Sequence, residues 1–275
     1  MRSLVNGQAE ENISIRDRGL QYGDGLFETL AVENGIVKNW ELHWARLCAG
    51  CERLFIPQPN ELQVLSEIEY LLRGVGKELV KIIITRGAGA RGYAFDEVNA
   101  SRIVSVYDWP VLADENTITG IELFLCQTRL AKQPLLAGIK HLNRLENILA
   151  RHEWQSSTYA EGIMLDSDGN VIEGTMSNVF LVRNGLLQTP DLNNSGVRGI
   201  TRQRIIDVSK QEGITLQQTT LGLDDLFNAD EVFVCNTVIG IWPVKKAGEK
   251  QYLVGQKTDG TFHNPVTRLM QTKII

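Results

Sequence analysis

Three stretches of the sequence hold residues whose types and spacing could perform chemistry on an amine. Lys140 lies in LLAGIKHLNRLENILAR, between an apolar, strand-like run and the predicted first turn of an amphipathic helix. The positive end of the helix dipole disfavours an ammonium there, and the apolar neighbours Ile139 and Leu142 add desolvation, so both effects lower the pKa of the lysine. Such a lysine is nucleophilic enough for Schiff-base chemistry, whereas an ordinary surface lysine is the alternative interpretation.

The other two stretches could bind an aromatic cofactor that carries a phosphate. Glu173, in VIEGTMSNVF, is a carboxylate flanked by strand residues, and pyridoxal phosphate (PLP) needs such an anion to keep its ring nitrogen protonated. Gly199, Ile200 and Thr201 begin a predicted helix, so their backbone N–H groups and the Thr201 hydroxyl could bind a phosphate. A solvent-facing strand position and plain helix capping are the alternatives for each stretch alone. Taken with Lys140, the two stretches favour a PLP site.

A glycine-rich run, GAGARG at residues 87–92, has the spacing of the dinucleotide-binding fingerprint and follows a predicted strand. That fingerprint requires a helix immediately afterwards, whereas GYAFDEVNAS has no helical period and leads into another strand. We therefore interpret the run as a mobile lid, with Arg86 and Arg91 at its two ends, that could bind a carboxylate through two parallel hydrogen bonds. A solvated hairpin tip is the alternative.

The elements that must position these residues do not alternate regularly along the chain. The predicted elements are helices at 40–55, 60–76, 141–155 and 200–213, strands at 81–85, 102–107, 121–130 and 230–237, and hairpins that turn at Asp168-Gly169 and Asn184-Gly185. Hairpins and isolated helices without βαβ alternation favour an α+β fold over a doubly wound sheet.

The segment DWPVLADENTITG is polar, contains a proline and has no hydrophobic period, which is typical of a linker. It predicts a smaller N-terminal α+β domain at 1–108, a linker at 109–119, and a larger C-terminal α+β domain at 120–275 that carries the candidate lysine.

The composition excludes several classes of protein. Of 275 residues, 43% are hydrophobic and 22% are charged, which excludes a disordered or low-complexity chain. The net charge of −5 provides no global positive field for nucleic acid or an anionic membrane. No apolar run reaches the roughly 18 residues of a membrane helix, so we expect a cytoplasmic protein. The C-x-x-C pair of Cys48 and Cys51 falls within a predicted helix, a position that disfavours redox or metal chemistry.

A set of landmarks resembles one known family. Lys140, Glu173 with Asn178, the turn at 199–201 and Cys235-Asn236-Thr237 occur in the order found in fold-type IV PLP enzymes, the branched-chain and D-amino-acid aminotransferase superfamily. The resemblance extends from YGDGLFETL to NPVTRLM, and within the superfamily RGAGARGY and AGIKHLNRLEN resemble the 4-amino-4-deoxychorismate lyases. It implies a two-domain α+β fold like that of D-amino-acid aminotransferase, with PLP between the domains and a homodimer whose partner subunit completes the site.

The same resemblance implies an activity. Lyases of this kind cleave 4-amino-4-deoxychorismate to 4-aminobenzoate and pyruvate, a step towards folate, without a metal. A branched-chain or D-amino-acid aminotransferase is the first alternative, and it would need a second, keto-acid substrate. A non-catalytic ligand-binding protein that keeps the fold is the other alternative.

The resemblance also implies roles for individual residues around PLP. Lys140 matches the lysine that bonds to the cofactor and acts as acid and base, and Glu173 matches the partner of the pyridine nitrogen. Arg46, in LHWARL, matches the arginine that binds the phosphate. The remaining phosphate ligands implied are Ile200, Thr201 and Thr237.

On the substrate side, Tyr22 and Phe27 match lining positions, while Arg91 and Tyr93 match the substrate loop of the lyases. Branched-chain aminotransferases carry a tyrosine five residues after the lysine, a place held here by Leu145. Asn143 is the nearest polar candidate to contact the ring hydroxyl.

Overall fold

The computed structural model describes residues 2–95, 99–255 and 264–274, so residues 96–98 of the predicted substrate loop lie outside the described residues. The chain divides into two compact units. The first contains residues 1–110 and 139–143, and the second contains residues 111–138 and 144–275. The segment that carries Lys140 therefore groups with the N-terminal unit, although it follows the predicted linker in the sequence.

The first unit is built on a five-stranded sheet in which every neighbouring pair of strands is antiparallel. The strand order is β1-β5-β4-β2-β3. In chain order the elements are β1 (Arg2–Val5), α1 (Arg18–Tyr22), β2 (Gly25–Glu33), β3 (Ile36–Val37), α2 (Trp40–Arg53), α3 (Glu61–Leu71), β4 (Lys77–Thr85) and β5 (Ser101–Asp108).

Alternation along β2 determines what each side of this strand can contact. Leu26, Leu30 and Val32 are buried. They are separated by even numbers of residues, so they lie on the same face of the strand, whose side chains alternate with a two-residue period. Helix α2 approaches this face closely at Gly50, where a Cβ atom would lie 2.8 Å from a methyl carbon of Leu26. Cys51 is buried in the same helix, and burial raises the pKa of its thiol to about 12.

The second unit contains a sheet of nine described strands, ordered β11-β10-β9-β12-β13-β6-β7-β8 with β14 beside β13. Strand β6 is parallel to both β7 and β13, β10 is parallel to β11, and the other pairs are antiparallel. In chain order the elements are α4 (Asp114–Ile118), β6 (Ile121–Leu130), α5 (Leu145–His152), β7 (Tyr159–Asp166), β8 (Val171–Gly174), β9 (Asn178–Arg183), β10 (Leu186–Pro190), α6 (Ile200–Gln211), β11 (Leu216–Thr219), α7 (Leu223–Phe227), β12 (Glu231–Asn236), β13 (Gly240–Ala247), β14 (Lys250–Gln251) and α8 (Pro265–Ile274).

The large sheet is buried on both faces. Along β9, Val179 and Leu181 belong to one hydrophobic cluster, while Phe180 and Val182 belong to another. The ring of Phe180 stacks on that of Phe233 in β12, with centroids 5.0 Å apart. Such packing fixes the ends of β8, β9 and β12, where the candidate PLP ligands of this unit lie. The α+β class is confirmed.

Both predicted hairpins are confirmed in the second unit. Gly169 has a φ of +86° in the turn between β7 and β8, and Asn184-Gly185 has two positive φ values in the turn between β9 and β10. Asparagine and glycine tolerate this left-handed conformation, which matches the twist of a tight hairpin. No helix among the described residues combines the length and the apolar character needed to cross a membrane.

Candidate active site

Lys140 lies on an extended segment that pairs with the beginning of β2. The backbone N–H of Phe27 donates to the Lys140 carbonyl at 2.9 Å, and the N–H of Leu142 donates to the Gly25 carbonyl at 3.0 Å. The predicted start of the following helix is wrong, because α5 begins at Leu145. Pairing with β2 holds this stretch extended, so Lys140 does not adjoin a helix turn and the dipole argument for its pKa does not apply.

The side chain of Lys140 lies over an aromatic ring. Its Nζ is 4.4 Å from the ring centroid of Phe27, and Lys81 Nζ lies 5.5 Å from the same centroid. Cations are attracted to the face of an aromatic ring at such distances. The structure therefore brings together Lys140 and Phe27, two of the residues that the sequence assigns to catalysis and substrate binding.

Arg46 is held by a buried carboxylate, Glu28, that no signal in the sequence marks as a site residue. Glu28 accepts from Arg46 Nε at 2.7 Å and from Arg46 Nη2 at 2.6 Å, and its Oε2 lies 2.6 Å from His43 Nδ1. His43 and Arg46 are three residues apart on α2, so both side chains reach Glu28 on β2. This arrangement fixes the guanidinium of the predicted phosphate ligand.

Glu28 is ionised despite its burial. Burial alone would raise its pKa, but the charge of Arg46 and the hydrogen bonds from His43 and Arg46 lower the pKa to about 2. For His43, burial is the largest effect and lowers its pKa, against the opposing influence of Glu28. The cluster thus combines a carboxylate, a guanidinium and an imidazole whose neutral form is favoured.

Replacing Glu28 with Gln should remove stability that depends on pH. The folded-state pKa of about 2 lies below the usual 4.5, so the carboxylate stabilises the fold fully above pH 4.5 and loses this effect as pH falls towards 2. That difference corresponds to about 3 kcal/mol. In chemical unfolding, the decrease in the free energy of unfolding caused by Glu28→Gln should therefore be largest at pH 7 and progressively smaller at pH 4 and pH 3. Glu33 of the same strand, a half-exposed carboxylate that pairs with Lys38, provides the control variant Glu33→Gln. An equal loss at all three pH values in Glu28→Gln would contradict the assignment.

The predicted substrate residues Tyr22 and Tyr93 meet at the glycine-rich loop. Their rings contact edge to face with centroids 5.8 Å apart, and the Tyr22 hydroxyl accepts from the Gly92 N–H at 3.2 Å. Arg18 donates to the Gly92 carbonyl at 2.8 Å. Arg91 is exposed beside this anchored backbone. The loop therefore places Arg91, Tyr93 and Tyr22 in one neighbourhood of the first unit.

Arg86, at the start of the same loop, has a structural role. Its Nε and Nη2 donate to Asp24, at 2.7 and 2.9 Å, and its guanidinium also donates to the carbonyls of Leu54 and Phe55. Burial opposes ionisation of Asp24, but hydrogen bonds from Arg86 and Arg18 hold the pKa of that carboxyl below its usual range. The prediction that Arg86 binds a substrate carboxylate is wrong, because these protein groups occupy its donors.

Asn143 supports the turn after α1. Its Nδ2 donates to the Gly23 carbonyl at 3.2 Å, and Gly23 has a φ of +67° at the end of the helix. A Cβ atom on Gly23 would lie 2.4 Å from Asn143 Oδ1, so this close approach requires glycine. The contact places Asn143 near Tyr22, and its role toward a cofactor stays a prediction.

In the second unit, Glu173 and Asn178 form a network that reaches the beginning of α6. Glu173 Oε2 accepts from the Val197 N–H at 2.8 Å and from Asn178 Nδ2 at 3.5 Å. Asn178 Nδ2 also donates to the Val197 carbonyl at 2.8 Å, while its Oδ1 accepts from the Gly199 N–H at 3.1 Å. Buried Glu173 is therefore fixed in orientation by the segment that leads into the predicted phosphate site.

The N-terminus of α6 fits a phosphate. Gly199 occupies the cap position and has no side chain to bind the first-turn N–H groups, and Ile200 and Thr201 are both buried there. A Cβ atom on Gly199 would lie 2.1 Å from Asn178 Oδ1, which explains the glycine. Uncapped N–H groups at the positive end of a helix bind anions well. The donor set thus fits the phosphate of PLP, and a buried carboxylate at Glu173 fits its ring nitrogen.

Thr237, the last predicted phosphate ligand, lies in the turn between β12 and β13. Asn236 Oδ1 accepts from the backbone N–H groups of Val238 and Ile239, at 2.7 and 2.9 Å, and this holds the turn. Among the described residues, no group of three or more His, Cys, Asp or Glu side chains could hold a metal ion.

The fold and these residues define a class of protein: the chain belongs to the amino-transferase class IV family, which matches residues 25–247. Its fold is that of the fold-type IV enzymes, and members of this family depend on PLP. The aminodeoxychorismate lyase of Vibrio harveyi is 36% identical over 87% of this chain and 89% of its own length.

Solved structures agree with this membership. The crystal structure of 4-amino-4-deoxychorismate lyase from Pseudomonas aeruginosa has a TM-score of 0.90 and 42% identity, covering 99% of this chain and 97% of that one. The branched-chain amino acid aminotransferase of Escherichia coli has a TM-score of 0.83 and 25% identity, covering 98% and 92%.

Proposed function

We propose that this chain is a PLP-dependent lyase that converts 4-amino-4-deoxychorismate to 4-aminobenzoate and pyruvate. The observation that carries the proposal is the 42% identity with a lyase across almost the whole chain, against 25% for a branched-chain aminotransferase over a similar span. The exposed Arg91 beside Tyr93 supports the substrate assignment, because the substrate carries two carboxylates.

Each residue has a distinct task in this proposal. Ile200, Thr201, Thr237 and Arg46 would hold the phosphate of PLP, and Glu173 would keep a proton on the ring nitrogen. PLP, when bound, withdraws electrons from the substrate carbon that bears the amine. The Nζ of Lys140 removes the proton from that carbon, as a positioned base. The bond between the ring carbon and the enolpyruvyl oxygen would then break, the leaving group would take up a proton to become pyruvate, and the aromaticity gained by the ring would drive the step.

An end-point assay tests the proposal directly. The purified protein with PLP and 4-amino-4-deoxychorismate should release 4-aminobenzoate and pyruvate in equal amounts without an added keto acid. Product that appears only when a keto acid is supplied would assign an aminotransferase instead. A protein that binds no PLP, judged from its visible spectrum, would refute both enzyme assignments.

Arg91 should recognise a substrate carboxylate. Arg91→Lys keeps the charge but loses the planar, two-point geometry, so we expect a higher KM with unchanged PLP binding. A charged hydrogen bond is worth about 1.5 to 3 kcal/mol, so Arg91→Ala should lower kcat/KM roughly 10- to 150-fold. Arg183→Ala, at an exposed arginine of the second unit, is the control. Unchanged kcat/KM in both Arg91 variants would leave the loop without a role in binding.

We also propose that the chain forms a homodimer through α5. Leu145, Ile148 and Leu149 are 60 to 74% exposed and share one helix face at the spacing i, i+3 and i+4. Grouped apolar surface of this kind marks interfaces between proteins. The double variant Ile148→Glu and Leu149→Glu should therefore be monomeric in light scattering where the wild type is dimeric. Leu62→Glu, at an exposed leucine of α3, should leave the dimer intact, and a dimeric double variant would place the interface elsewhere.

A further inference from the structure

Glu161 is a fully buried carboxylate that the proposed reaction does not use. It lies on β7, and every partner found for it among the described residues is a hydrogen-bond donor. Its Oε1 accepts from the Gly162 N–H at 2.8 Å, the Thr175 N–H at 3.0 Å and the Thr175 hydroxyl at 2.5 Å. Its Oε2 accepts from the Ser177 hydroxyl at 2.7 Å and the Met176 N–H at 3.2 Å.

Four of these five donors belong to one turn, residues 175–177, which joins β8 to β9. Burial raises the pKa of Glu161, while the hydrogen bonds from Thr175 and Ser177 oppose that effect. A carboxylate is a pure acceptor, so it satisfies both oxygens with N–H and O–H groups of the turn. Glu161 thus accepts from two N–H groups and two hydroxyls of the turn, and the Thr175 N–H also donates to the Gly162 carbonyl at 3.1 Å.

The packing around Gly174 shows how tightly Glu161 and the turn fit. A Cβ atom on Gly174 would lie 2.3 Å from Ser177 Oγ and 2.9 Å from the Glu161 carboxyl carbon. The Gly174 N–H donates to the Ser177 carbonyl at 2.6 Å, which closes the turn. Glu173 lies two residues before this turn, and Asn178 immediately follows it.

The same turn also contacts the loop that carries Thr237. Asn236 Nδ2 donates to the Met176 carbonyl at 3.0 Å, and its Oδ1 binds the N–H groups of Val238 and Ile239 on the far side of Thr237. Asn178, at the other end of the turn, binds Glu173 and the Gly199 N–H. Glu173, the N-terminus of α6 and the loop of Thr237 therefore connect to the turn through two hydrogen-bonding side chains, those of Asn178 and Asn236.

From these contacts we infer that Glu161 is the positioning residue for the PLP contacts of the second unit, because it fixes the 175–177 turn that orients Glu173, Thr237 and the N-terminus of α6. The inference rests on the proposed function, since it concerns the same cofactor. It assigns Glu161 no contact with PLP or substrate, and its action passes through the turn.

The matched control is Glu231, another buried carboxylate of the same unit. Its oxygens accept from the Val266 N–H, the Thr267 N–H and the Thr267 hydroxyl, so it anchors the start of α8 instead of the turn. Burial raises its pKa as it does for Glu161. Glu161→Gln and Glu231→Gln thus replace similarly buried acceptors that serve different segments.

The test measures PLP dissociation constants by fluorescence titration, the visible spectrum of bound PLP across pH, and melting temperatures without PLP. In Glu161→Gln the amide NH2 meets N–H donors, so we expect PLP to bind roughly tenfold more weakly or worse, with a spectrum whose pH dependence is shifted. Glu231→Gln should lower the melting temperature and leave both PLP readouts unchanged.

Two further outcomes have separate meanings. If wild-type protein binds no PLP, the proposed function is overturned, and the inference that rests on it is overturned with it. If wild type binds PLP and Glu161→Gln matches it in affinity and spectrum, Glu161 does not position the site. Should Glu161→Gln not fold, Ser177→Ala removes a single donor to Glu161, and unchanged PLP affinity and spectrum in that variant would overturn the inference.

Discussion

Replacing Lys140 with Ala should reduce lyase turnover below detection while leaving the fold intact. Positioned acid–base catalysis alone is worth about 100- to 10,000-fold, and this variant also loses the covalent attachment of PLP. The backbone pairing of Lys140 with Phe27 does not involve the side chain, so the segment should keep its place beside β2. Product formation over hours, together with the melting temperature, measures both effects.

Lys81 provides the matched control, because its Nζ also lies over the Phe27 ring. Lys81→Ala should retain turnover within a few-fold of wild type. After borohydride reduction and digestion, mass spectrometry should find PLP on the peptide that contains Lys140 and on no peptide with Lys81. Wild-type turnover in Lys140→Ala would eliminate the proposed mechanism.

Glu173→Gln should retain PLP and fold normally, but turn over roughly 100- to 1,000-fold more slowly, the usual loss when a group that stabilises developing charge is removed. The carbonyl oxygen of Gln can still accept from the Val197 N–H, so the network around Asn178 should survive. A neutral amide does not hold a proton on the ring nitrogen, so the loss should fall on kcat rather than on KM. Steady-state kinetics and the bound PLP per chain provide the measurements.

Glu153→Gln is a suitable comparison for this variant. Glu153 lies in the same unit, and its carboxylate accepts from the N–H groups of Gln127 and Thr128. Its replacement should alter stability without a large change in kcat. Equal kcat values for Glu173→Gln and wild type would make Glu173 an ordinary buried strand residue.

Turn residues and helix-capping residues in the sequence correctly predicted the hairpins and the helix whose ends they mark. Asp168-Gly169 and Asn184-Gly185 fixed two hairpins, and Gly199 marked the beginning of α6. The nine-residue strand β2 was not predicted, because Glu28 occupies an inward position and breaks the apolar alternation. The early start predicted for α5 failed since helical periodicity does not report that residues 140–142 pair with a distant strand.

The candidate site, like the fold, could be predicted from the sequence only in part. The order of Lys140, Glu173 and the 199–201 turn could be recognised from sequence, and Tyr22 and Tyr93 do lie together. The partners Glu28 and Glu161 could not be found this way, because a carboxylate in a strand looks like a solvent-facing residue until its buried donors are known. The prediction that Arg86 binds a substrate carboxylate was wrong because the sequence does not show that Arg86 is paired with Asp24.

The position of β6 in the large sheet has a consequence for the order in which a growing chain can fold. Strand β6 lies between β7 and β13, and its partner Val244 in β13 pairs with Ile121 more than a hundred residues earlier. At translation rates of about 5 to 20 residues per second, roughly 6 to 25 seconds pass between the synthesis of Ile121 and that of Val244. During this time the edge of β6 that will pair with β13 has no partner strand. An unpaired strand edge invites pairing with other chains. Slower translation between these strands should therefore lower the yield of native protein, whereas the five-stranded sheet of the first unit has all its strands once residue 108 has left the ribosome.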